Sequence, residues 1–89
     1  MAEISHILVA HEYEALDVLR LLKQGKSFEE LAERFSKCPS AKQGGDLGDL
    51  KPGRADEDFE DAAFALKPGE MTPKPVRTRF GYHIILRKS

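Results

Sequence analysis

Residues 80–86 read FGYHIIL and residues 4–10 read ISHILVA. Each stretch sets one histidine, His83 or His6, inside an aliphatic run of strand length. Apolar side chains at both odd and even positions of Ile4–Ala10 predict a central strand covered on both faces. Between the two histidine strands the pattern becomes helical. Leucines at 16, 19 and 22, with Leu21 beside them, predict a helix over Glu12–Lys23 that stops at Gly25. Ser27 followed by Glu30 is a capping box that opens a second helix through Phe28, Leu31, Ala32 and Phe35. That helix should end near Lys37, because Pro39 disfavours helical geometry at Cys38.

The stretch AKQGGDLGDLKPG, residues 41–53, holds four glycines and one proline, with Leu47 and Leu50 as its apolar anchors. It predicts a structured loop with at most a short strand at Leu47–Leu50. Asp56–Leu66 reads as a third helix with Phe59, Ala62, Ala63 and Leu66 on one side and acids in its first turn. Val76–Arg79 and Tyr82–Arg87 then form a hairpin around Phe80-Gly81. Strand, helix, helix, loop, helix, hairpin is an α+β order in which the first strand pairs with the last. That pairing brings His6 and His83 onto adjacent strands, and strand alternation permits both to face one side.

With 89 residues, one domain with one core is expected over the whole chain, residues 1–89. A net charge of −1 argues against a nucleic-acid binder. Charge is nevertheless segregated: seven acids and two bases over Asp46–Asp61, five bases and no acid over Lys74–Lys88. Such patches are solvated faces, or they flank a cleft and bias what enters it. The one cysteine, Cys38, makes no internal disulfide, the start of the chain carries no secretory pattern, and no apolar run is long enough to span a membrane. A soluble, monomeric, cytoplasmic protein is the expectation.

The chemistries the residues allow are few. Three histidines and one cysteine lack the spacing of a zinc site, so no metal is expected. Cys38 follows a helix C-terminus, where the dipole does not favour a thiolate, and a gap-filling cysteine is the competing reading. Gly44-Gly45 fits neither phosphate-loop pattern, so no nucleotide or other cofactor is expected; the glycines permit a tight turn presenting Asp46 and Leu47. There remain two strand histidines with Thr78, Cys38, Leu47, Phe59 and Phe80, which either pack as core or line a small apolar cavity with a few polar handles.

SHILV, LA..FS.CPSAK.GGDLG, FEDAAFAL.PGE and FGYHIIL, in this order and spacing, resemble the parvulin family of peptidyl-prolyl cis–trans isomerases over essentially the whole chain. The resemblance implies a four-stranded antiparallel sheet surrounded by helices and a shallow cleft for an extended X-Pro segment. It implies a catalytic group of His6, Cys38, Thr78 and His83. It places Leu47 and Phe59 on the proline pocket with Phe80 bordering it, and Ala55 where typical members carry a methionine. The alanine leaves that pocket less fully walled. Members selective for phosphoserine or phosphothreonine have a basic loop after the first strand, whereas VAHEYEA has two glutamates and no Lys or Arg, so no phosphate selectivity is expected. The acidic stretch Asp56–Asp61 implies polypeptide partners with basic residues beside the proline. A non-catalytic module that binds proline segments, chaperone-like, is the alternative, and a purely structural domain a third.

Overall fold

Six consecutive residue pairs, from Ile4↔Arg87 to Val9↔Tyr82, join the first and last strands antiparallel. The computed structural model describes residues 2–89. In chain order it comprises β1 (Glu3–Val9), α1 (Glu12–Lys23), α2 (Phe28–Phe35), a short 3₁₀ helix (Pro39–Gln43), β2 (Asp46–Asp49), α3 (Glu57–Ala65), β3 (Val76–Thr78) and β4 (Gly81–Arg87). The sheet runs β2-β1-β4-β3 with every neighbouring pair antiparallel. β1 and β4 are therefore the two central strands, as their unbroken apolar runs require.

Alternation along those strands sorts the core onto two faces. On one face Ile7, Val9 and Ile84 pack with Ala15, Val18, Leu19, Leu31 and Ala32 from α1 and α2. On the other, Ile4 and Ile85 pack with Phe59, Ala63 and Leu66 from α3 and its C-cap, and with Leu50. Leu16 does not join the buried stripe of α1 and is 52% exposed. The buried side follows Ala15, Val18, Leu19 and Leu22 instead, because smaller Ala and Val complete the i, i+3, i+4, i+7 face and leave Leu16 a turn-fraction away.

Three boundaries differ from the sequence expectation for local reasons. α2 ends at Phe35, with Ser36 as its C-cap. Ser36 Oγ there accepts from the Leu8 amide at 3.1 Å and from the Cys38 amide at 3.4 Å. Cys38 is thus not only past one helix; it caps the N-terminus of the 3₁₀ helix, with Pro39 in the first turn where a missing N–H costs nothing. The hairpin loop is Arg79-Phe80 rather than Phe80-Gly81, since Thr78 pairs with Gly81. Phe80 N–H donates to Thr78 Oγ1 at 3.2 Å and fixes the turn.

Candidate active site

The site lies on the α3 face of the sheet. His6 pairs with Ile85 and Leu8 with His83, so the two histidines are diagonal cross-strand neighbours on one face. Their Nδ1 atoms are 3.0 Å apart. Thr78 Oγ1, from β3 beside β4, lies 2.8 Å from His83 Nε2. Both histidines and Thr78 are buried.

Counting donors assigns the protons. Thr78 Oγ1 already accepts from Phe80 N–H, which leaves its hydroxyl proton for His83 Nε2. His83 then carries its own proton on Nδ1 and donates to His6 Nδ1. His6 is left protonated on Nε2, a buried nitrogen with no hydrogen-bond partner. The reverse assignment would strand both the Thr78 hydroxyl proton and the His6 Nε2 lone pair, so the first leaves fewer groups unpaired. Burial pushes both imidazoles down to about 4; His83 adds to the effect on His6, whereas the Asp56 carboxylate partly opposes it at His83. At neutral pH the pair is uncharged.

Phe59 closes over both rings edge-on, with centroids 5.4 Å from His6 and 5.0 Å from His83. Beside it opens an almost wholly apolar cavity of about 360 Å³, lined by His6, Leu8, Cys38, Leu47, Phe59 and Phe80 among others. Lys37, Pro39, Ala55, Asp56 and His83 complete its wall. Seven of the eight residues singled out from sequence thus line one cavity, and the eighth, Thr78, reaches it through His83. Leu8, Lys37 and Pro39 join the wall with no site role expected from the sequence, while Asp56 opens the acidic stretch expected to act on the substrate. Leu8 was recoverable, being two residues from His6 and so on the same strand face.

The surrounding loops explain why these side chains converge. Gly45 has φ +83, and a Cβ there would collide with the His6 carbonyl oxygen; its own carbonyl accepts from the His6 amide at 2.9 Å. The glycine pair therefore seats β2 against His6 as well as turning the chain. The Glu60 carboxylate accepts from the Gly53 amide at 3.0 Å and the Ala55 amide at 2.8 Å, holding Ala55 in the cavity wall. These bonds keep the Glu60 carboxyl below its ordinary range. Asp56 N-caps α3 through Asp58 N–H at 2.9 Å and faces Arg79 Nε at 3.9 Å. Arg79 also sits 5.0 Å above the Phe80 ring, itself 60% exposed at the cavity rim. Among the described residues no His, Cys, Asp and Glu gather as a metal would need, and no helix is long and apolar enough to cross a membrane.

The chain as a whole, rather than the cavity alone, is similar to known proteins. The family model for the rotamases, the PPIC-type PPIase domain, matches residues 6–89. The chain is 52% identical over 82 residues to the foldase protein PrsA of Bacillus subtilis, covering 91% of this chain and 28% of that protein. It thus spans under a third of that relative. The solved parvulin of Nitrosopumilus maritimus is 44% identical with a TM-score of 0.88, covering 99% of this chain and 95% of that one. A Campylobacter jejuni chain, solved in work on the virulence factor PEB4 and the periplasmic protein Cj1289 as SurA-like chaperones, is 45% identical with a TM-score of 0.93, covering 99% of this chain and 38% of that one. This relative overturns the cytoplasmic expectation, because the same domain occurs in a chaperone pair that includes a periplasmic protein. A lone cysteine forms no internal disulfide in any compartment, so it never discriminated between them. The chain belongs to the PPIC-type, or parvulin, family of peptidyl-prolyl cis–trans isomerase domains.

Proposed function

We propose that this domain accelerates rotation about X-Pro amide bonds of polypeptides without forming a covalent bond to them. The observation that carries this reading is the 360 Å³ apolar cavity set directly on the uncharged His6–His83 pair. Rotation of an X-Pro amide faces a barrier of about 20 kcal/mol because the C–N bond has partial double-bond character. The planar ground state is the more dipolar form and is the one water stabilises. A proline ring held among Leu47, Ala55, Phe59 and Phe80 takes its amide out of water, which favours the twisted state relative to the planar one. Cys38, half-buried on the same wall, and the histidine pair set the polarity that the carbonyl oxygen meets as it turns. His6, Thr78 and His83 act by fixing the shape and neutrality of the floor rather than by moving protons. His6, Cys38, Thr78, His83 and the apolar wall all come from one chain, so the domain works as a monomer.

Selectivity follows from the rim. β1 passes to α1 through Ala10 and His11 alone, and Glu12 and Glu14 begin the helix, so no basic loop stands ready for a phosphate. Asp56 lines the cavity and favours a basic residue beside the proline. Comparing turnover of Arg-Pro and Glu-Pro peptides at low salt, in the native protein and in Asp56→Asn, tests this: the native preference for Arg-Pro should shrink in the variant. Equal turnover of both peptides by the native protein would contradict it. The reaction itself is tested by cis–trans exchange on X-Pro peptides; binding without acceleration would leave a proline-segment binding module in its place.

A further inference from the structure

β3 is the outer strand of the sheet and pairs only with β4. Its register fixes which backbone groups are free. Thr78 and Gly81 close a two-residue hairpin as a hydrogen-bonded pair, so Val76↔His83 is bonded likewise and the intervening Arg77↔Tyr82 pair is not. The amide and carbonyl of Arg77 therefore point away from β4, and neither has a partner among the described residues. Along this edge lies an open groove of about 880 Å³ between β3 and α3, with Val76, Arg77, Thr78 and Arg79 on one side and Asp58 and Asp61 on the other. The groove borders the proline cavity at two points, with the Arg79–Asp56 contact between them. Arg79 in the groove is followed by Phe80 in the cavity wall, and Asp58 lies in the first turn of α3, whose N-cap is the cavity-lining Asp56.

We propose that this edge receives the polypeptide flanking the substrate proline as one added strand, docked on the Arg77 backbone, with basic side chains directed to Asp58 and Asp61. The inference rests on the isomerase reading and extends it from the proline to its neighbours. Adjacency to the cavity names the occupant: a chain whose proline fills the cavity and that leaves it over Phe80 runs past Arg79 onto this edge. Arg77 and Arg79 balance Asp58 and Asp61 across the groove, and on the α3 wall it is the two exposed carboxylates that a basic side chain of the added strand would meet. Pro73 and Pro75 precede Arg77, and neither offers an N–H to an added strand. Only one residue thus offers both backbone groups, which suits a substrate released at every turnover and denies the edge to lasting aggregation.

The test uses a blocked X-Pro tetrapeptide, which fills only the cavity, and the same core extended by four lysine-containing residues before or after the proline. One extended peptide should show a KM about fivefold lower than the tetrapeptide and should protect the Arg77 amide from hydrogen exchange. Arg77→Pro, which removes that amide, and separately Asp58→Asn/Asp61→Asn, should erase the advantage while leaving tetrapeptide kcat/KM unchanged. The groove is refuted if both extended peptides bind no better than the tetrapeptide, if binding leaves Arg77 unprotected, or if the variants slow both substrates alike. A protein that protects Arg77 yet fails to turn over the tetrapeptide faults the catalytic reading and keeps the groove.

Discussion

Acidification from pH 7 to pH 5 should weaken the fold through two residues. His6 and His83 are held at about 4 against 6.5 in the unfolded chain. Above 6.5 both states hold neutral imidazoles and the difference vanishes. Between 6.5 and about 4 the unfolded chain takes up protons that the folded chain refuses, so stability rises with pH across this window and is lost as pH falls. At pH 5 the linkage gives roughly 2 kcal/mol per histidine, or about 4 kcal/mol for the pair. That is a large share of the roughly 5–15 kcal/mol that stabilises a domain. Urea unfolding followed by circular dichroism between pH 5 and 7.5 reads the slope directly. Replacing both partners, His6→Leu/His83→Leu, should flatten it, since two apolar side chains leave no buried imidazole to refuse a proton. Stability constant over this range, or rising toward acid in the native protein, would refute the buried neutral pair.

Four further outcomes follow from the same geometry. Cys38→Ser should keep isomerase activity within about tenfold of native, because twisting an amide needs no nucleophile; a folded but inactive variant would overturn the non-covalent reading. His83→Leu should cost more than Cys38→Ser in kcat or in stability, since it strands Thr78 and His6 together, and parallel activity and urea assays will separate the two. Ala55→Met should lower KM for short X-Pro peptides about fivefold by adding apolar wall around the proline, with little change in melting temperature. Gly45→Ala should destabilise by at least about 2 kcal/mol, because L-residues disfavour positive φ and the new methyl meets the His6 carbonyl; a chemical denaturation midpoint checks it.

Much of the fold was legible because the histidine strands are apolar on both faces, which forces them to the sheet centre and so beside each other. The acids opening α3 and Gly25 closing α1 marked helix ends for equally local reasons. Leu16 lies off the buried face because phase outranks hydrophobic size, and the 3₁₀ turn at Pro39–Gln43 leaves no sequence period because one helical turn has too few residues. The site divided in the same way. The residues matching family motifs converged on the cavity, and so did Ala55, which departs from them. The acidity at Asp56 was legible but its place on the wall was not, nor were those of Lys37 and Pro39, since they depend on how the Glu60-held loop and the Cys38 cap of the 3₁₀ helix bring them round. The carboxylate clamp of Glu60 on Gly53 and Ala55 spans a loop–helix boundary, and its sequence looks like any charged helix face.

The central claim is that the cavity over the His6–His83 pair lowers the barrier to X-Pro rotation. Two-dimensional NMR exchange on a small panel of X-Pro peptides, with catalytic amounts of the protein at pH 7, measures it most directly. Cis–trans cross-peaks should appear on a timescale of about a second or less, where the uncatalysed exchange takes tens of seconds. Peptide resonances that shift on binding while the exchange rate stays at its uncatalysed value would contradict the claim.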